Sequence, residues 1–184
     1  MSVWDNIYLT DAWGGGSGPG SKEETTREYR AFVERFIRLN QFKTVLDYGC
    51  GDGVLASLID WKALGVTRLF GTDASAVARR LAAQNCADMT ILTPTQAESL
   101  PADLVLVKDV FQHLSEDSIR EALNILEPSL LLITNDIPRP EDEHDIKDGE
   151  WRPIDIRSLG YTSCSVAEFD SVPIRKRILL MQGK

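Results

Sequence analysis

Histidine and cysteine are scarce in this chain of 184 residues: His113 and His144, and Cys50, Cys86 and Cys164. The cysteines are odd in number and far apart, which argues against a disulfide frame and suits reduced thiols in a cytoplasm. With no close cysteine–histidine cluster, a structural zinc site is not expected. No apolar run approaches the length of a membrane span. Residues 1–10 have neither the basic start nor the apolar stretch of a secretory signal. The expectation is a cytoplasmic protein with no membrane partner. Basic charge is the minority, 20 Lys and Arg against 28 Asp and Glu, a formal −8. Such a surface repels phosphate backbones, so no nucleic-acid partner is expected.

What is present suits one domain over 1–184, long enough to bury a core without cross-links. The one low-complexity stretch is WGGGSGPGS, residues 13–21, with five glycines between Gly14 and Gly20. It must be a loop, and residues 1–21 read as an N-terminal segment able to act as a lid. Ser21 and Glu24 then read as a capping box. Tyr29, Phe32, Val33, Phe36 and Ile37 keep helical spacing, which predicts a helix over about 22–39.

From there the chain alternates. Strands are expected at 44–46, 67–70, 89–92, 104–107 and 130–134. Helices are expected around Leu55–Ile59, around Val77–Leu81, and after Ser115 through Ile119, Ala122, Leu123 and Leu126. Strand and helix in turn predict an α/β sheet with parallel strands. Residues 137–160 are polar and proline-bearing, a long loop of the kind that carries function. Two strand-like runs, 163–169 and 174–181, follow as an antiparallel hairpin, linked through Asp170-Ser171-Val172-Pro173.

Two consecutive strand ends carry candidate chemistry. Asp47-Tyr48-Gly49-Cys50-Gly51-Asp52-Gly53 follows the first strand. Alternate glycines let a ligand approach the backbone, and the helix start after Gly53 offers free N–H groups. A dinucleotide fingerprint needs its third glycine at position 54, where this chain has Val54, so a nicotinamide oxidoreductase is the weaker reading. Asp47 and Asp52 in the turn suit an ammonium or sulfonium better than a pyrophosphate. At the next strand end, Asp73 can accept from both hydroxyls of a ribose. Its plainer role is to cap the helix that begins at Ala74.

These stretches resemble the class I S-adenosylmethionine-dependent methyltransferases. VLDYGCGDG (45–53) is similar to their first motif, GTDAS (71–75) to the second, and ADLVLVKDVFQHL (102–114) to the fourth-strand motif. WGGGSGPGS and GEWRPIDI (149–156) resemble a smaller bacterial-type subgroup. The resemblance implies a Rossmann-like α/β fold: a seven-stranded sheet ordered 3-2-1-4-5-7-6, strand 7 antiparallel, helices on both faces. It implies S-adenosylmethionine as cofactor. Gly49, Gly51 and Gly53 would pack on its methionine part, with Cys50 in the same turn and Asp47 orienting the ammonium. Asp73 would hold the ribose, with Ala74 and Ser75 beside the adenine. Lys108, Asp109 and Val110 would line the methionine side. Where the family usually has an Asp for the adenine amino group, this chain has Thr93-Pro94-Thr95-Gln96, which leaves Thr95 or Gln96 as a neutral acceptor.

Methyl transfer from a sulfonium is an in-line displacement in which positioning supplies most of the catalysis. A base is needed only where the acceptor must lose a proton. His113 is the candidate; ordering its own turn is the alternative. His144, inside an acidic run, is expected at the surface. Asn135-Asp136-Ile137-Pro138 is not the N-P-P-Y pattern associated with amino methylation, which weakens amide and nucleobase acceptors. Asp109, Asn135 and Asp136 form a conceivable carboxylate set, but Asp109 suits the cofactor edge better, so no metal is expected. Two loops compete for the acceptor. Trp13 could close as part of the glycine lid. Trp151 could stack on a sugar or flat ring, and Arg152 could hold a carboxylate or phosphate. In the plainer alternative Arg152 pairs with a nearby acid. The expected function is methyl transfer to a small polar acceptor, such as a saccharide or conjugate hydroxyl. The alternatives are a methyltransferase of protein side chains or termini, and a non-catalytic cofactor-binding subunit.

Overall fold

A computed structural model describes residues 2–126, 129–142, 144–171 and 174–182. Short runs rich in Val, Leu and Ile form the parallel strands: β1 (Thr44–Tyr48), β2 (Arg68–Thr72), β3 (Met89–Leu92), β4 (Leu104–Lys108) and β5 (Leu130–Asp136). The hairpin β6 (Cys164–Ser171) and β7 (Ile174–Gln182) closes the sheet, with β7 antiparallel to β5. Val172 and Pro173 of the expected hairpin link lie outside the described residues. The order is β3-β2-β1-β4-β5-β7-β6, as the resemblance implied. This is the Rossmann-like methyltransferase fold.

Parallel strands covered on both faces read as continuous apolar runs, because neither face meets water. Leu104, Val105, Leu106 and Val107 are all buried. Leu104 and Leu106 join one layer with α2 (Arg27–Asn40), α3 (Val54–Ser57) and α4 (Ala76–Asn85). Val105 and Val107 join the other with α5 (Pro94–Glu98) and α6 (Glu116–Leu126). Truncating Leu104 or Leu106 to Ala would cost about 2–5 kcal/mol.

The first helix departs from the sequence reading. Helix α2 begins at Arg27, not near 22, and Ser21 lies in a 3-10 turn (Pro19–Ser21) instead of capping it. The cause is local. The Thr25 hydroxyl donates to Pro19 O at 2.6 Å and the Thr26 hydroxyl to Lys22 O at 2.8 Å, so turns replace the first helical residues. Tyr29, Val33 and Ile37 are the buried face of α2, as their spacing predicts. Two short helices were not anticipated. The first is α1 (Val3–Leu9), capped by Ser2, and the second is α5, closed by a Thr93–Gln96 capping box. Asp5 ties α1 to the start of α4, accepting from Ser75 Oγ at 2.8 Å and Ala76 N at 2.9 Å.

The loop over 137–160 holds two 3-10 turns and buries Ile146, Ile154 and Ile156. It is tied to the β4–α6 connection by Gly149 N to His113 O and Arg152 N to Gln112 O, both 2.9 Å. Among the described residues no helix is long and apolar enough to cross a membrane.

Candidate active site

A cavity of about 470 Å³ opens at the C-terminal ends of β1, β2, β4 and β5, where ligands sit in open α/β sheets. Its size is that of small-molecule sites.

The turn after β1 forms one wall. Gly49, Gly51 and Gly53 have φ of 78°, 58° and 77°, so the chain reverses through left-handed backbone. A Cβ on Gly49 would lie 2.3 Å from Val110 Cγ2, and one on Gly51 2.2 Å from Ser17 Oγ. Gly53 packs on helix α4, where a Cβ would lie 2.8 Å from Ala82 Cα. It therefore supports the turn from behind and does not line the cavity. The expected open helix start is also absent: α3 is a single turn of four residues. The N–H groups are engaged within the chain. Gly51 N donates to Asp73 Oδ2 at 3.0 Å, Asp52 N to Ser17 Oγ at 2.8 Å and Val54 N to Asp52 Oδ1 at 3.2 Å.

Asp47 and Asp73 both line the cavity. Burial pushes the Asp47 carboxyl up to about 7, against the pull of Lys108 and with help from Asp73. Burial also raises Asp73, although Gly51 N and Ser75 N donate to its oxygens. Each Asp73 oxygen keeps a lone pair for a ligand hydroxyl. Ala74 and Cys50 line the same region, and burial raises the Cys50 thiol, which keeps it unreactive. Thr95 and Gln96 are not in the lining. Both are exposed, and the Gln96 side chain accepts from Thr93 N at 2.9 Å to close the α5 cap. Pro94 lines the cavity in their place.

The other half is built on a row of alternating charges. Asp109 has φ +58°, a conformation costing a non-glycine residue about 1–2 kcal/mol. Two ammonium groups hold it: Lys108 Nζ at 2.5 Å and Lys176 Nζ at 2.8 Å. Burial alone would raise the Asp109 carboxyl, but these two lysines outweigh it and keep it low. Lys176 continues to Asp136 Oδ1 at 2.5 Å, and Asp136 Oδ2 accepts from Trp151 Nε1 at 3.3 Å. Burial opposes the Lys176 charge, yet Asp109 and Asp136 prevail and raise its pKa. Asp109 and Asp136 thus converge on an ammonium. Among the described residues no group of three His, Cys, Asp or Glu side chains is arranged to hold a metal.

His113 lines this half, with Nδ1 2.9 Å from Glu150 O. Burial lowers its pKa, while Asp109 and Asp136 pull the other way. The Trp13 ring lies against it, centroids 5.0 Å apart. Trp13 belongs to the N-terminal segment, which crosses the cavity as a strap. Ser17 and Asp52 bond reciprocally, Ser17 N reaching Asp52 Oδ2 at 3.1 Å. The Tyr8 hydroxyl lies 3.0 Å from Ser17 Oγ, and Lys108 Nζ donates to Gly20 O at 2.9 Å.

Most expected site residues therefore meet at one cavity: Asp47, Gly49, Cys50, Gly51, Asp73, Ala74, Lys108, Asp109, Val110, His113, Trp13 and Trp151. Arg152 does not. It is 3% exposed, donates to Leu114 O at 2.8 Å and faces Asp145 at 3.5 Å, so it fastens the loop. His144 is exposed, as expected. Lys176, Tyr8 and Ser17 were missed. Ser17 sat in a recognised glycine loop, but no motif marks Lys176.

A glycine turn at one parallel strand end, an acid at the next and an antiparallel hairpin at the far edge define a methyltransferase of the Rossmann-like class. The chain belongs to the methyltransferase domain family, whose model matches residues 21–159. It is 37% identical over 99 residues to the ribosomal protein L11 methyltransferase of Burkholderia mallei strain NCTC 10229, covering 52% of this chain and 30% of that one. It thus matches less than a third of that relative's length. Magnesium protoporphyrin IX methyltransferase (ChlM) of Synechocystis PCC 6803, solved with bound SAH, has a TM-score of 0.66 and 17% identity, over 97% of this chain and 96% of that one. An O-methyltransferase family protein of Burkholderia thailandensis has a TM-score of 0.62 and 14% identity, over 86% of this chain and 56% of that one. These two likenesses concern the fold.

Proposed function

We propose that this protein transfers the methyl group of S-adenosylmethionine to a hydroxyl of a small polar acceptor, a saccharide or its conjugate. The cofactor is S-adenosylmethionine, and the residues present fit it. Gly49 and Gly51 line the cavity with bare backbone, packed so closely on Val110 and Ser17 that a Cβ at either would clash. Asp47 offers a buried carboxyl to the ammonium, and Asp73 offers spare lone pairs to the ribose. Ala74 and Pro94 supply apolar contact at the adenine end. When bound, the cofactor supplies a methyl group already activated on a sulfonium.

The observation that carries the hydroxyl reading is the state of His113. A carbonyl oxygen only accepts, so the bond to Glu150 O puts the proton on Nδ1 and leaves the lone pair on Nε2. Burial keeps the imidazole neutral near pH 7. A neutral histidine of fixed tautomer can receive the proton of a hydroxyl as its oxygen takes the methyl group. A neutral amine already has its nucleophilic lone pair and gains less from such a base. The small acceptor is favoured by the strap, since Trp13, Ser17 and Gly20 lie across the cavity. A protein side chain would have to displace it.

The test is a cofactor-consumption screen against small-molecule extract, with mass detection of the methylated product. His113→Ala should lower turnover about 10²–10⁴-fold and leave cofactor affinity within a few-fold. Near-normal turnover of His113→Gln, which cannot take a proton at neutral pH, would refute base catalysis. A product methylated only on nitrogen would refute the hydroxyl reading.

A further inference from the structure

The methyl transfer outlined above gives no task to two side chains of the acceptor half. Asp136 ends β5, and Lys176 stands directly opposite it on β7. Both are at most 5% exposed, yet both line the cavity. Their bonding capacity is not exhausted. Lys176 Nζ has three protons, one given to Asp109 Oδ1 and one to Asp136 Oδ1, which leaves one. Asp136 has about four lone-pair sites, of which Lys176 and Trp151 occupy two. A spare donor and a spare acceptor therefore sit side by side on paired strands. A hydroxyl oxygen accepting from Lys176 and a neighbouring hydroxyl donating to Asp136 would satisfy both.

The charge row selects among ligands. Lys108, Asp109, Lys176 and Asp136 alternate and sum to zero. A carboxylate or phosphate gains no net attraction there and meets two acids, while a cation meets two lysines. An uncharged polyol suffers neither penalty. Trp151, its indole held by Asp136, adds an aromatic surface for the C–H face of a ring.

We propose that Asp136 and Lys176 are a specificity-determining pair that reads a vicinal diol on an uncharged acceptor. This rests on the hydroxyl-directed reading of the site and names the hydroxyl pattern it takes.

The experiment uses wild-type protein saturated with S-adenosylhomocysteine and ligand-observed NMR. The probes are inositol, methyl glycosides carrying cis or trans diols, their single-deoxy analogues, and the matching sugar acids. Diols should bind, and loss of one hydroxyl of the pair should weaken binding about 10- to 100-fold, as for a lost hydrogen bond to a charged group. Sugar acids should bind no better than neutral sugars. Asp136→Asn and Lys176→Met should erase the diol-to-deoxy ratio. A purely structural clamp would lower the melting temperature of the variants and leave that ratio unchanged. If the variants do not fold, the wild-type analogue series decides. Equal binding of diol and deoxy probes, tighter binding of the acids, or no binding of any polyol overturns the proposal. Product analysis with S-adenosylmethionine separates it from the reading beneath. Diol-dependent binding without O-methylation would refute hydroxyl transfer and leave the pair standing. O-methylation indifferent to the second hydroxyl would do the reverse.

Discussion

Cofactor binding should release a proton from Asp47. In the cofactor-free protein burial outweighs Lys108 and holds this carboxyl at about 7. A bound ammonium is an opposite charge in contact, which lowers a carboxyl by about 1–3 units. Affinity must then fall as Asp47 fills with protons. About half of it is ionised before binding at pH 7 and about 1% at pH 5. For that range of shifts, the Kd for S-adenosylhomocysteine should weaken about 5- to 50-fold between pH 7 and pH 5. Titration calorimetry in two buffers of different ionisation enthalpy should show about 0.4–0.5 proton released at pH 7, and at pH 6 about 0.4 for a one-unit shift rising to about 0.9 for a three-unit shift. Asp47→Asn should bind independently of pH over this range and more weakly than the wild type at pH 7, and the gap should narrow as pH falls towards 5. Stability runs the opposite way. The folded state keeps a proton that the unfolded chain loses above about pH 4, so the cofactor-free protein loses stability as pH rises towards 7. Asp47→Asn escapes that loss, and its melting temperature should gain on the wild type from pH 5 to pH 8. A flat wild-type affinity between pH 5 and 7, or an Asn variant with full affinity at pH 7, would refute the reasoning.

Asp73→Ala should weaken cofactor binding by about 1–3 kcal/mol, read by the same calorimetry, because it removes a charged acceptor and frees Gly51 N. With an acceptor in hand and cofactor kept saturating at every pH, the turnover rate should stay level as pH falls through 6.5, because burial keeps His113 deprotonated below its ordinary value. A break at or above 6.5 would count against His113 as the base. Ser17→Ala removes both bonds of the Ser17 side chain, to Asp52 N and Tyr8, so hydrogen exchange over residues 13–21 should accelerate. Unchanged protection there would assign the strap's order to Asp52 Oδ2 and Lys108.

The strands were legible because their signals are local: apolar runs for β1, β2, β4 and β5, and a short link between two strand-like runs for β6 and β7, while their order in the sheet came from the family resemblance. The glycine turn with Asp47 and Asp73 was legible for the same reason. Helix α2 was misread because Ser21 and Glu24 look like a cap, whereas two threonine hydroxyls spend their bonds on turns first. Thr95 and Gln96 do not reach the adenine end because Thr93 and Gln96 have the spacing of a capping box, which they form, and this commits the Gln96 side chain to the α5 cap. Trp151 and Arg152 are adjacent in the long loop after β5, yet only one of them serves the cavity. Trp151 reaches the cavity and donates to Asp136, while Arg152 turns into the loop interior and donates to Leu114 O. Lys176 could not be read at all. Its significance depends on lying opposite Asp136, a fact of register between distant segments.

That register has a consequence for assembly of the chain. Slipping β7 against β5 by one residue would turn Lys176 away from the cavity and present Arg175 or Arg177 to Asp136. Before the hairpin docks, Asp136 lacks its ammonium and Asp109 has only Lys108. The same bonds that shape the acceptor half therefore act as a key for strand alignment, because the Lys176 ammonium bridges Asp109 and Asp136 only in the native register. In refolding, amide protection across β5 and β7 should appear before the cavity can bind its ligands, with the C-terminal hairpin among the last elements to commit.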